Sequence, residues 1–448
     1  MTASQGPDVT VGVLGLHNSK ETKAILNAVD DLGFGTEWLR RENTSVSITD
    51  GTVTVEPSVD VVANRLLLSN TQYPAEEIGL AKTIADTAPM LNPPDAVTPA
   101  MHKFAAGVSL ANAGLPVPDA LLALSSERLN ADSDRFGERA VYKTAIGTHG
   151  GGAWQVDLTE AVNPRVGDRQ AFLQRLVEPT GDRSVDARIY VVDGEVCGAM
   201  YRYAQEGEWR TNVSLGGAVE DATDDLPAEA LDNARRAAEV VGLDYAGVDL
   251  IPTEDDDWLV LEVNPTAGFR GLYEATNRSP APYIAKAAIE AAGGSVDEDR
   301  VEELTAILDD SRPACMPRKE RTPDRSEPGV IGYIEEVVLS GTRGSLTVEA
   351  KSDTGAARTN IDSELAAEIG TGPIKDVVTV KSGSTKQGRT RPLVDLVVGI
   401  KGTQHTVTAS VEDRGHMDYQ ILLGRDILQH YHVDVGHRTG ADEAETEE

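Results

Sequence analysis

The order of hydrophobic and polar positions predicts alternating strands and helices in the first part of the chain. Residues 9–16 form an apolar run, and residues 19–32 then repeat hydrophobic positions at helical spacing up to a glycine. Residues 45–55 and 59–67 have the composition of further strands. This alternation predicts a small α/β layer domain over residues 1–93.

Later segments predict further domains of different kinds. A helix predicted at residues 100–113 belongs to a second region of strands and helices, residues 94–294. Residues 295–328 carry many charges and several X-Pro dipeptides, which predicts a helix running into an exposed linker. Short strands with glycine turns predict a compact β domain at residues 329–438, and the acidic tail 439–448 is expected to be disordered.

The acidic composition excludes some classes of partner. The 448 residues include 41 basic and 73 acidic ones, a formal charge of −32, and only 12 lysines. Such a balance disfavours binding to nucleic acid and to anionic membranes. It is typical of a protein from a high-salt cytoplasm, and an ordinary acidic bacterial protein is the alternative. The N-terminus shows no signal peptide and no apolar stretch is long enough to span a membrane, so a cytoplasmic location is expected.

Two apolar segments interrupted by acidic residues give the clearest chemical signal. A polar turn separates residues 247–250 from residues 259–265, so a hairpin is predicted that places Asp249 beside Glu262. Glu262 and Asn264 are two residues apart and share one face of their strand. Carboxylate and amide oxygens converging there suit Mg²⁺ and leave room for phosphate oxygens. The alternative is an acidic hairpin without a metal, but an unpaired carboxylate inside an apolar run would be costly.

A glycine-rich segment with a preceding lysine predicts phosphate binding. Lys143 ends a predicted strand, and the loop at 147–152, with Gly150 and Gly151, lets backbone amides approach phosphates closely. Lys103 is a second candidate for a phosphate contact. Taken alone, such a loop is more often a flexible turn, and it matches neither the Walker pattern nor the dinucleotide fingerprint.

Other polar residues between these motifs are candidates for nucleotide binding. A strand at residues 174–178 is predicted to run into a hinge whose backbone reads an adenine edge. Asp186 and Arg188 share one face of a strand predicted at 185–192. Three further candidates for phosphate or acyl-phosphate binding follow, of which the last two are predicted to share a strand face: Arg202, Arg210 and Asn212.

Together these motifs resemble the RimK-type ATP-grasp ligases, a family that adds glutamate to carboxyl termini. The resemblance covers residues 99–292. The matching blocks, in order, are Lys-Thr-Ala-Ile-Gly-Thr-His-Gly-Gly-Gly at 143–152, Ser-Val-Asp-Ala-Arg at 184–188, Gly-Glu-Trp-Arg-Thr-Asn at 207–212, Gly-Gly-Ala at 216–218, Ala-Gly-Val-Asp-Leu at 246–250 and Leu-Glu-Val-Asn-Pro-Thr-Ala-Gly at 261–268. The resemblance implies an α/β pre-ATP-grasp domain at 1–93 and an ATP-grasp domain of α+β type at 94–294.

The resemblance also implies roles for individual residues. Lys103 and Lys143 would contact the ATP phosphates, the segment at Arg175 and Glu178 the adenine, and Asp186 the ribose. Metal ligands for Mg²⁺ or Mn²⁺ would be Asp249, Glu262 and Asn264, with Arg210 and Asn212 near the γ-phosphate or acyl-phosphate. The implied reaction converts a carboxylate into an acyl-phosphate, from which an amine displaces phosphate. It needs no covalent nucleophile, and neither Cys197 nor Cys315 lies in a motif that suggests one.

The C-terminal region resembles a different family. Asp353-Thr354-Gly355 follows an alternating strand, and the apolar strand Ile421-Leu422-Leu423-Gly424 comes about 70 residues later. This pairing resembles half of a retropepsin and the RimB-like "ATP-dependent zinc protease" family. The resemblance implies an all-β, retropepsin-like closed barrel in which Asp353 is the catalytic acid and a homodimer supplies the second aspartate. Zinc is not expected, because His430 and His432 have the pattern of surface histidines and the chain has no His-Glu-x-x-His motif.

The sequence therefore predicts a multidomain protein with two activities. Its partners would be ATP, L-glutamate and an acceptor with a free carboxylate, in a homodimer or homotetramer. The C-terminal domain would trim or recognise the glutamylated product, or bind a partner without catalysis. The alternatives are a ligase for a small-molecule carboxylate, such as a coenzyme tail or a carrier in amino-acid biosynthesis, and a nucleotide-sensing module without catalysis.

Overall fold

The computed structural model describes residues 9–69, 71, 73–147, 152–166, 169–178, 181, 183–205, 207–211, 217–312, 329–372, 374–380 and 389–438. Contacts between residues divide the chain into two units, Met1–Pro317 and Arg318–Glu448. Within the described ranges, every helix is too short or too polar to cross a membrane.

The first sheet is parallel and lies at the start of the first unit. Its strands are β1 (Thr10–Leu14), β2 (Gly35–Leu39), β5 (Val61–Asn64) and β6 (Met90–Leu91), in the spatial order β2-β1-β5-β6. The connecting elements are α1 (Lys20–Asp31), the hairpin of β3 (Ser45–Thr49) and β4 (Thr52–Glu56), and α2 (Pro74–Ala85). Helix α1 begins after Ser19, whose hydroxyl accepts a hydrogen bond from the Thr22 backbone N–H at 3.3 Å. The predicted α/β alternation of residues 9–67 is confirmed.

Two antiparallel sheets follow in the same unit. One contains β7 (Ala120–Leu121), β8 (Arg139–Thr144), β9 (Ala153–Asp157), β10 (Arg165–Val166) and β11 (Arg169–Arg175), in the order β10-β11-β8-β9 with β7 also on β11. The other contains β12 (Val185–Val192), β13 (Glu195–Tyr203), β14 (Ala218–Asp221), β15 (Tyr245–Pro252) and β16 (Trp258–Asn264), in the order β14-β13-β12-β15-β16. The predicted strands at 140–143 and 185–192 and the predicted hairpin at 247–265 are confirmed.

Seven further helices are described in this unit, together with a short 3₁₀ helix at Ser133–Phe136. They are α3 (Pro94–Met101), α4 (Lys103–Asn112), α5 (Ser126–Ala131), α6 (Ala228–Val241), α7 (Arg270–Thr276), α8 (Ala281–Ala291) and α9 (Glu298–Thr305). The single helix predicted at 100–113 is wrong, because the chain breaks at His102. The backbone of His102 is extended, and its ring accepts a hydrogen bond from the Ala105 N–H at 3.2 Å. This cap makes Lys103 the first residue of α4.

Hydrophobic side chains on both sides of residue 93 share the same cores. Leu14 from the first sheet and Val248 from the third belong to one buried cluster, and a second cluster likewise joins residues of both regions. The second sheet has its own smaller core, which includes Leu129 and Leu173. The predicted boundary at residue 93 therefore does not separate two cores in the structure.

The predicted linker begins later than residue 295. Helix α9 packs against α8, and the Arg312 guanidinium donates to Asn27 Oδ1 at 3.2 Å and to Thr36 Oγ1 at 3.0 Å. Residues 295–312 therefore belong to the first unit, whereas residues 313–328 lie outside the described residues. The predicted acidic tail 439–448 also lies outside them.

The second unit contains one eight-stranded sheet. Its strands are β17 (Gly329–Gly341), β18 (Gly344–Ser352), β19 (Asn360–Asp362), β20 (Asp376–Val380), β21 (Arg389–Ile400), β22 (Thr403–Glu412), β23 (Ile421–Leu423) and β24 (Tyr431–Arg438). Their order is β20-β21-β22-β19-β23-β18-β17-β24, with an additional pairing of β17 with β21.

The predicted all-β closed barrel is not confirmed for this unit. Two short helices, α10 (Ser363–Ile369) and α11 (Arg425–Leu428), interrupt the strands, and β20 and β24 lie at the ends of the sheet. Asp362 starts α10 by accepting hydrogen bonds from the N–H groups of Glu364 and Leu365 at 2.8 and 3.2 Å. Sequence periodicity did not reveal α10 because it spans only seven residues.

Candidate active site

All three sheets of the first unit contribute to one large cleft of about 850 Å³. A volume of this size is in the range of binding sites for small molecules. The lining includes the loop after β1 with the start of α1, the residues after β5, the ends of β8 and β11, one face of β12, and the β15–β16 hairpin with the loop that follows it.

The β15–β16 hairpin places its polar residues as predicted. Asp249 is the cross-strand partner of Glu262, and Gly247 is the partner of Asn264, with a bulge between Asp249 and Leu250. Asp249 is 4% exposed, whereas the Glu262 side chain is 24% exposed. The hairpin therefore carries one buried carboxylate and one that is accessible from the cleft.

The loop after β16 packs closely against β15. A Cβ atom on Gly247 would lie 2.5 Å from the Ala267 Cβ, so only glycine allows this approach. The Asn264 side-chain oxygen accepts hydrogen bonds from the Thr266 N–H at 2.9 Å and from the Thr266 hydroxyl at 3.3 Å. These contacts fix the side chain of Asn264 at the end of the hairpin.

Two arginines connect the buried carboxylates. Arg188 donates to both oxygens of Asp249 at 2.6 and 2.7 Å, and Arg202 donates to both oxygens of Asp186 at 2.7 and 2.6 Å. Arg202 also lies 2.9 Å from Asp249, and the Thr211 hydroxyl donates to Asp186 at 2.6 Å. Burial alone would raise the pKa of Asp249, but Arg188 and Arg202 hold this pKa well below its usual range.

Two lysines add positive charge to the same part of the cleft. Lys103 forms an ion pair with Glu262. Burial, assisted by the neighbouring charge of Lys103, lowers the pKa of Lys143 to about 8. Four cations therefore surround three carboxylates, namely Lys103, Lys143, Arg188 and Arg202 around Asp186, Asp249 and Glu262. This excess of one positive charge favours a polyanionic ligand.

The segment predicted to contact adenine lies along the cleft, and its two charged side chains pair with other residues. Residues 174–178 are part of the lining. However, Arg175 forms an ion pair with Asp119, and Glu178 lies 3.4 Å from Arg139, in each case on the exposed surface. The charged groups of Arg175 and Glu178 are therefore paired with other side chains, and their predicted adenine contact stays a prediction.

The structure modifies two other predicted positions. Asp186 is 5% exposed and both of its oxygens are used by Arg202, so its predicted ribose contact stays a prediction. Arg210 lines the cleft, but residues 207–211 form a loop and not the predicted strand, because Arg210 turns back to Glu208 at 2.8 Å. The hydrogen bonds from Arg210 lower the pKa of Glu208 to about 2. Asn212, Gly150 and Gly151 lie outside the described residues.

The described part of the chain contains no cluster of three or more His, Cys, Asp or Glu side chains suited to a metal. The predicted set has only two carboxylates and one amide. Glu262 and Asn264 present oxygens on one strand face, and three of the about four lone-pair positions of Asp249 accept hydrogen bonds from Arg188 and Arg202. The Asn264 oxygen already accepts two hydrogen bonds from Thr266, so a hard cation here would be held mainly by Glu262, with one remaining position on Asp249. Asn264 would join it only in exchange for a bond to Thr266.

Sequence reasoning missed several charged residues of the cleft, among them Arg65 and Glu21. Arg65 follows β5 directly and is 4% exposed, and Glu21 lies in the first turn of α1. The available signal was an arginine at the end of a fully buried strand, where an unpaired charge is energetically costly.

In the second unit, the parallel pairing of β18 with β23 brings the Asp-Thr-Gly turn to the apolar strand. The Asp353 N–H donates to the Leu423 carbonyl at 2.9 Å, and the Asp353 carboxylate accepts from the N–H groups of Gly355 and Ala356 at 2.9 and 3.3 Å. His430 and His432 are exposed, as predicted for surface histidines. His430 also stacks on His405, with ring centroids 5.3 Å apart.

Comparison with known proteins relates the first unit to a group of ligases. A model of the RimK-like ATP-grasp domain matches residues 100–286. The chain is 36% identical over 194 residues to the tetrahydromethanopterin:alpha-L-glutamate ligase of Methanocaldococcus jannaschii, which covers 41% of this chain and 64% of that protein. It is 30% identical over 308 residues to the protein of the same name from Methanosarcina acetivorans, which covers 58% of this chain and 93% of that protein. A probable alpha-L-glutamate ligase 2 of Hahella chejuensis is 33% identical over 200 residues, covering 43% of this chain and 64% of that protein.

Solved structures give the same result for the fold. The ATP-grasp ligase PsnB in complex with a phosphomimetic variant of its minimal precursor, Mg and ADP superimposes with a TM-score of 0.52 at 21% identity. The match covers 64% of this chain and 99% of that one. At this identity the likeness shows the fold alone, and it confirms the predicted ATP-grasp architecture with mixed α/β elements.

Proposed function

Because this chain belongs to the RimK-like ATP-grasp family, we propose that its first unit is an ATP- and Mg²⁺-dependent ligase that joins a carboxylate to the amine of L-glutamate. The observation that carries the proposal is the single cleft in which Lys103, Lys143 and Arg188 meet Asp249 and Glu262. The cleft has an excess of positive charge beside carboxylate and amide oxygens, and this combination suits a nucleoside triphosphate with its metal.

The proposed reaction has two steps. A carboxylate oxygen of the acceptor attacks the γ-phosphorus of ATP, the bond to the bridging oxygen breaks, and ADP leaves. The amine of glutamate then attacks the acyl carbon, phosphate leaves with the electron pair of the broken C–O bond, and the nitrogen loses a proton. Lys103 and Lys143 lower the energy of the negative charge that moves between these oxygens, and the buried arginines hold the surrounding carboxylates in place.

The metal would be Mg²⁺ or Mn²⁺, held mainly by Glu262 with a share from Asp249, and by Asn264 if its oxygen exchanges a bond to Thr266. When bound, it would supply positive charge that neutralises the phosphates. The role of Lys103 follows from its position. As the first residue of α4 it is anchored by its own backbone N–H, which donates to the Ala145 carbonyl at 2.8 Å. Its ammonium reaches Glu262 from that anchor, so a phosphate that approaches Glu262 and its metal meets this charge as well.

We propose the carboxyl terminus of a peptide or protein as the acceptor. A small-molecule carboxylate, such as a coenzyme tail, is the second candidate. It is supported by the two relatives whose names specify tetrahydromethanopterin as the partner of glutamate.

The second unit would trim or bind the ligated product. Support comes from the Asp353 carboxylate, which two backbone N–H groups hold in a turn beside β23. A carboxylate held in this way can share a proton with a second one, which a homodimer would supply. A binding domain without catalysis remains the alternative for this unit, and zinc has no part in the proposal.

The decisive test of the ligase is ADP release by the full-length protein with Mg²⁺ in high-salt buffer. Each of the twenty amino acids would be supplied with and without cell extract as the source of acceptor. We expect turnover that depends on glutamate, rises with extract, and is lost in Glu262→Gln. Glu254→Gln, which changes an exposed residue in the turn of the same hairpin, is the matched control and should keep full activity. ADP release that no amino acid stimulates would favour a small carboxylate substrate or a nucleotide-sensing role.

A further inference from the structure

Arg65 is a buried arginine without an ion-pair partner among the described residues. Its Nη2 lies 3.4 Å from each of the carbonyl oxygens of Thr266 and Ala267, and its guanidinium lies 5.2 Å from the centroid of the Phe269 ring. Its Nε is buried and has no hydrogen-bond partner. Two long contacts to neutral carbonyls, with the attraction of Glu21 from beyond ion-pair distance, compensate only in part for the transfer of a guanidinium out of water. An anionic ligand would supply the missing interaction.

The position of Arg65 in the first sheet is one where α/β proteins bind ligands. The chain leaves β1 for β2 on one side and then crosses to β5 on the other, so β1 and β5 flank the point where the strand order reverses. Arg65 directly follows β5, and its N–H donates to the carbonyl of Leu14 at the end of β1 at 2.8 Å. Crevices outside the carboxyl ends of strands at such a reversal are common binding sites.

The N-terminus of α1 opens into the same crevice. This helix has 12 residues, follows β1 and begins after Ser19, which lines the cleft together with Arg65. Helix N-termini attract anions through their free N–H groups and the helix dipole. The buried guanidinium and the helix N-terminus are therefore two independent features that favour an anion at one place.

Glu21 supplies a negative charge in the same crevice, from the first turn of α1. Its carboxylate accepts a hydrogen bond from the Ser19 hydroxyl at 2.7 Å and lies against Gly268, where a Cβ would be 3.3 Å from the Glu21 Oε1. Desolvation would raise the pKa of Glu21, but Arg65 and the hydrogen bonds from Ser19 and the backbone outweigh it and lower this pKa. A separated arginine and carboxylate match the two charges of an amino acid.

The crevice is connected directly to the proposed metal ligands. Arg65 contacts the carbonyls of Thr266 and Ala267, and Thr266 in turn holds the side chain of Asn264. A molecule bound at Arg65 would therefore lie close to the loop that follows β16, beside the predicted phosphate site. That is the position required of an amine that attacks an acyl-phosphate.

We propose that Arg65 and the N-terminus of α1 bind a carboxylate of the amine-bearing substrate, while Glu21 faces its ammonium group. The proposal rests on the proposed function and deepens it, because it assigns the substrate that carries the amine to one end of the cleft and limits that substrate to amino acids. Arg65 acts here as a binding residue for the second substrate, separate from the groups that face ATP.

Calorimetry of the full-length protein, loaded with Mg²⁺ and a non-hydrolysable ATP analogue, tests the subsite without turnover. L-glutamate, its α-amide and L-glutamine would be titrated into the wild type, Arg65→Met and Arg41→Met. Arg41 is the control because its exposed side chain pairs with the buried Glu77, and neither residue lines the cleft. We expect Arg65→Met to bind glutamate at least ten times more weakly, with nucleotide affinity within twofold of the wild type, and Arg41→Met to change neither.

The amides identify which carboxylate Arg65 binds. The wild type should lose tenfold or more in affinity for the amide that blocks the bound carboxylate, and Arg65→Met should no longer distinguish that amide from glutamate. Equal affinity of the wild type for glutamate and both amides would overturn the proposal, even if Arg65→Met failed to fold. ADP release that depended on extract, without binding of any amino acid, would support the proposed ligase activity and contradict the amino-acid site at Arg65. Binding of glutamate through Arg65 without any turnover would contradict the proposed ligase activity and support the amino-acid site.

Discussion

Arg188 and Asp249 face each other on the paired strands β12 and β15, joined by two hydrogen bonds of 2.6 and 2.7 Å. Arg202 approaches the same carboxylate to 2.9 Å. Asp249 thus compensates the charge of Arg188 in the interior and shares Arg202 with Asp186, in addition to its predicted role toward a metal. Replacing it affects folding as well as chemistry, and this difference between Asp249 and Glu262 determines how variants of the site behave.

Asp249→Ala should lose about 3–5 kcal/mol of unfolding free energy, because it leaves the buried Arg188 without its close carboxylate and leaves Arg202 with Asp186 alone. Glu262→Gln should lose ADP release while its stability changes by about 1 kcal/mol or less, because its pair with Lys103 is partly exposed to solvent. Urea unfolding of both variants, followed by circular dichroism, measures the difference. Equal loss of stability in the two would contradict the assignment of Asp249 to a buried network.

Nucleotide affinity should fall as the pH rises above about 8, because burial and the charge of Lys103 lower the pKa of Lys143 to about 8. Below this pH the ammonium is present to meet phosphate, and above it the free protein loses that charge. Linkage limits the effect to about tenfold per pH unit. Titration with a fluorescent ADP analogue between about pH 7 and 9.5 measures it. In Lys143→Arg the affinity should stay nearly constant over this range, since a guanidinium keeps its proton.

Gly247→Ala should reduce the rate of ADP release by about tenfold to a hundredfold, because the new Cβ would displace Ala267 and with it the loop that holds Asn264. The control is Gly79→Ala within α2, where a Cβ meets nothing within 4 Å. That variant should keep full activity and gain about 0.4–1 kcal/mol. A fully active Gly247→Ala would show that the position of this loop does not matter for catalysis.

Asp353→Asn should abolish any cleavage of glutamylated peptides and leave ADP release unchanged. The matched control is Asp434→Asn, because the carboxylate of Asp434 accepts from the Gly436 N–H at 2.9 Å, the same distance as from Asp353 to the Gly355 N–H. Cleavage measured by mass spectrometry should persist in the control. Unchanged cleavage in Asp353→Asn would contradict the assignment of Asp353 as the catalytic acid. A wild type that binds such peptides without cutting them would favour a binding role for the second unit.

Cys197 should resist alkylation in the native protein, because burial raises the pKa of its thiol to about 12. Iodoacetamide at about pH 8 should leave the peptide containing Cys197 unmodified until denaturant is added, as read by mass spectrometry. Cys197→Ala should then retain ADP release, in agreement with a mechanism that has no covalent nucleophile. Rapid labelling of Cys197 in the native protein, accompanied by loss of ADP release, would contradict both statements.

The hairpin with Asp249, Glu262 and Asn264 was predictable from sequence because strand alternation fixes which side chains share a face. The same applies to Asp186 and Arg188 on β12. Pairing partners were not predictable, since the bonds from Arg188 to Asp249 and from Arg202 to Asp186 depend on which strands become neighbours. Arg65 was missed for the same reason. Its position at the reversal of strand order in the first sheet depends on which strands are neighbours, and the sequence of predicted strands does not give that order. In the second unit, the short helix α10 depends on a single capping aspartate, Asp362, and leaves little periodic trace.

Asn92 links the first and third sheets of the first unit. Its side chain binds the backbone of Asp244 and Tyr245 through hydrogen bonds of 2.9, 3.1 and 2.8 Å, and its own N–H donates to the Asp244 carboxylate. The two sheets share their cores, so they form one rigid frame that carries Arg65, Asp249 and Glu262 together. The sheet with Lys143 has a separate core and meets this frame at the hydrogen bond from the Lys103 N–H to the Ala145 carbonyl and at the contact of Phe104 with Phe172. A change in the width of the cleft would therefore alter the contact of Lys143 with the nucleotide. The distance between the amino-acid crevice and the β15–β16 hairpin would stay constant.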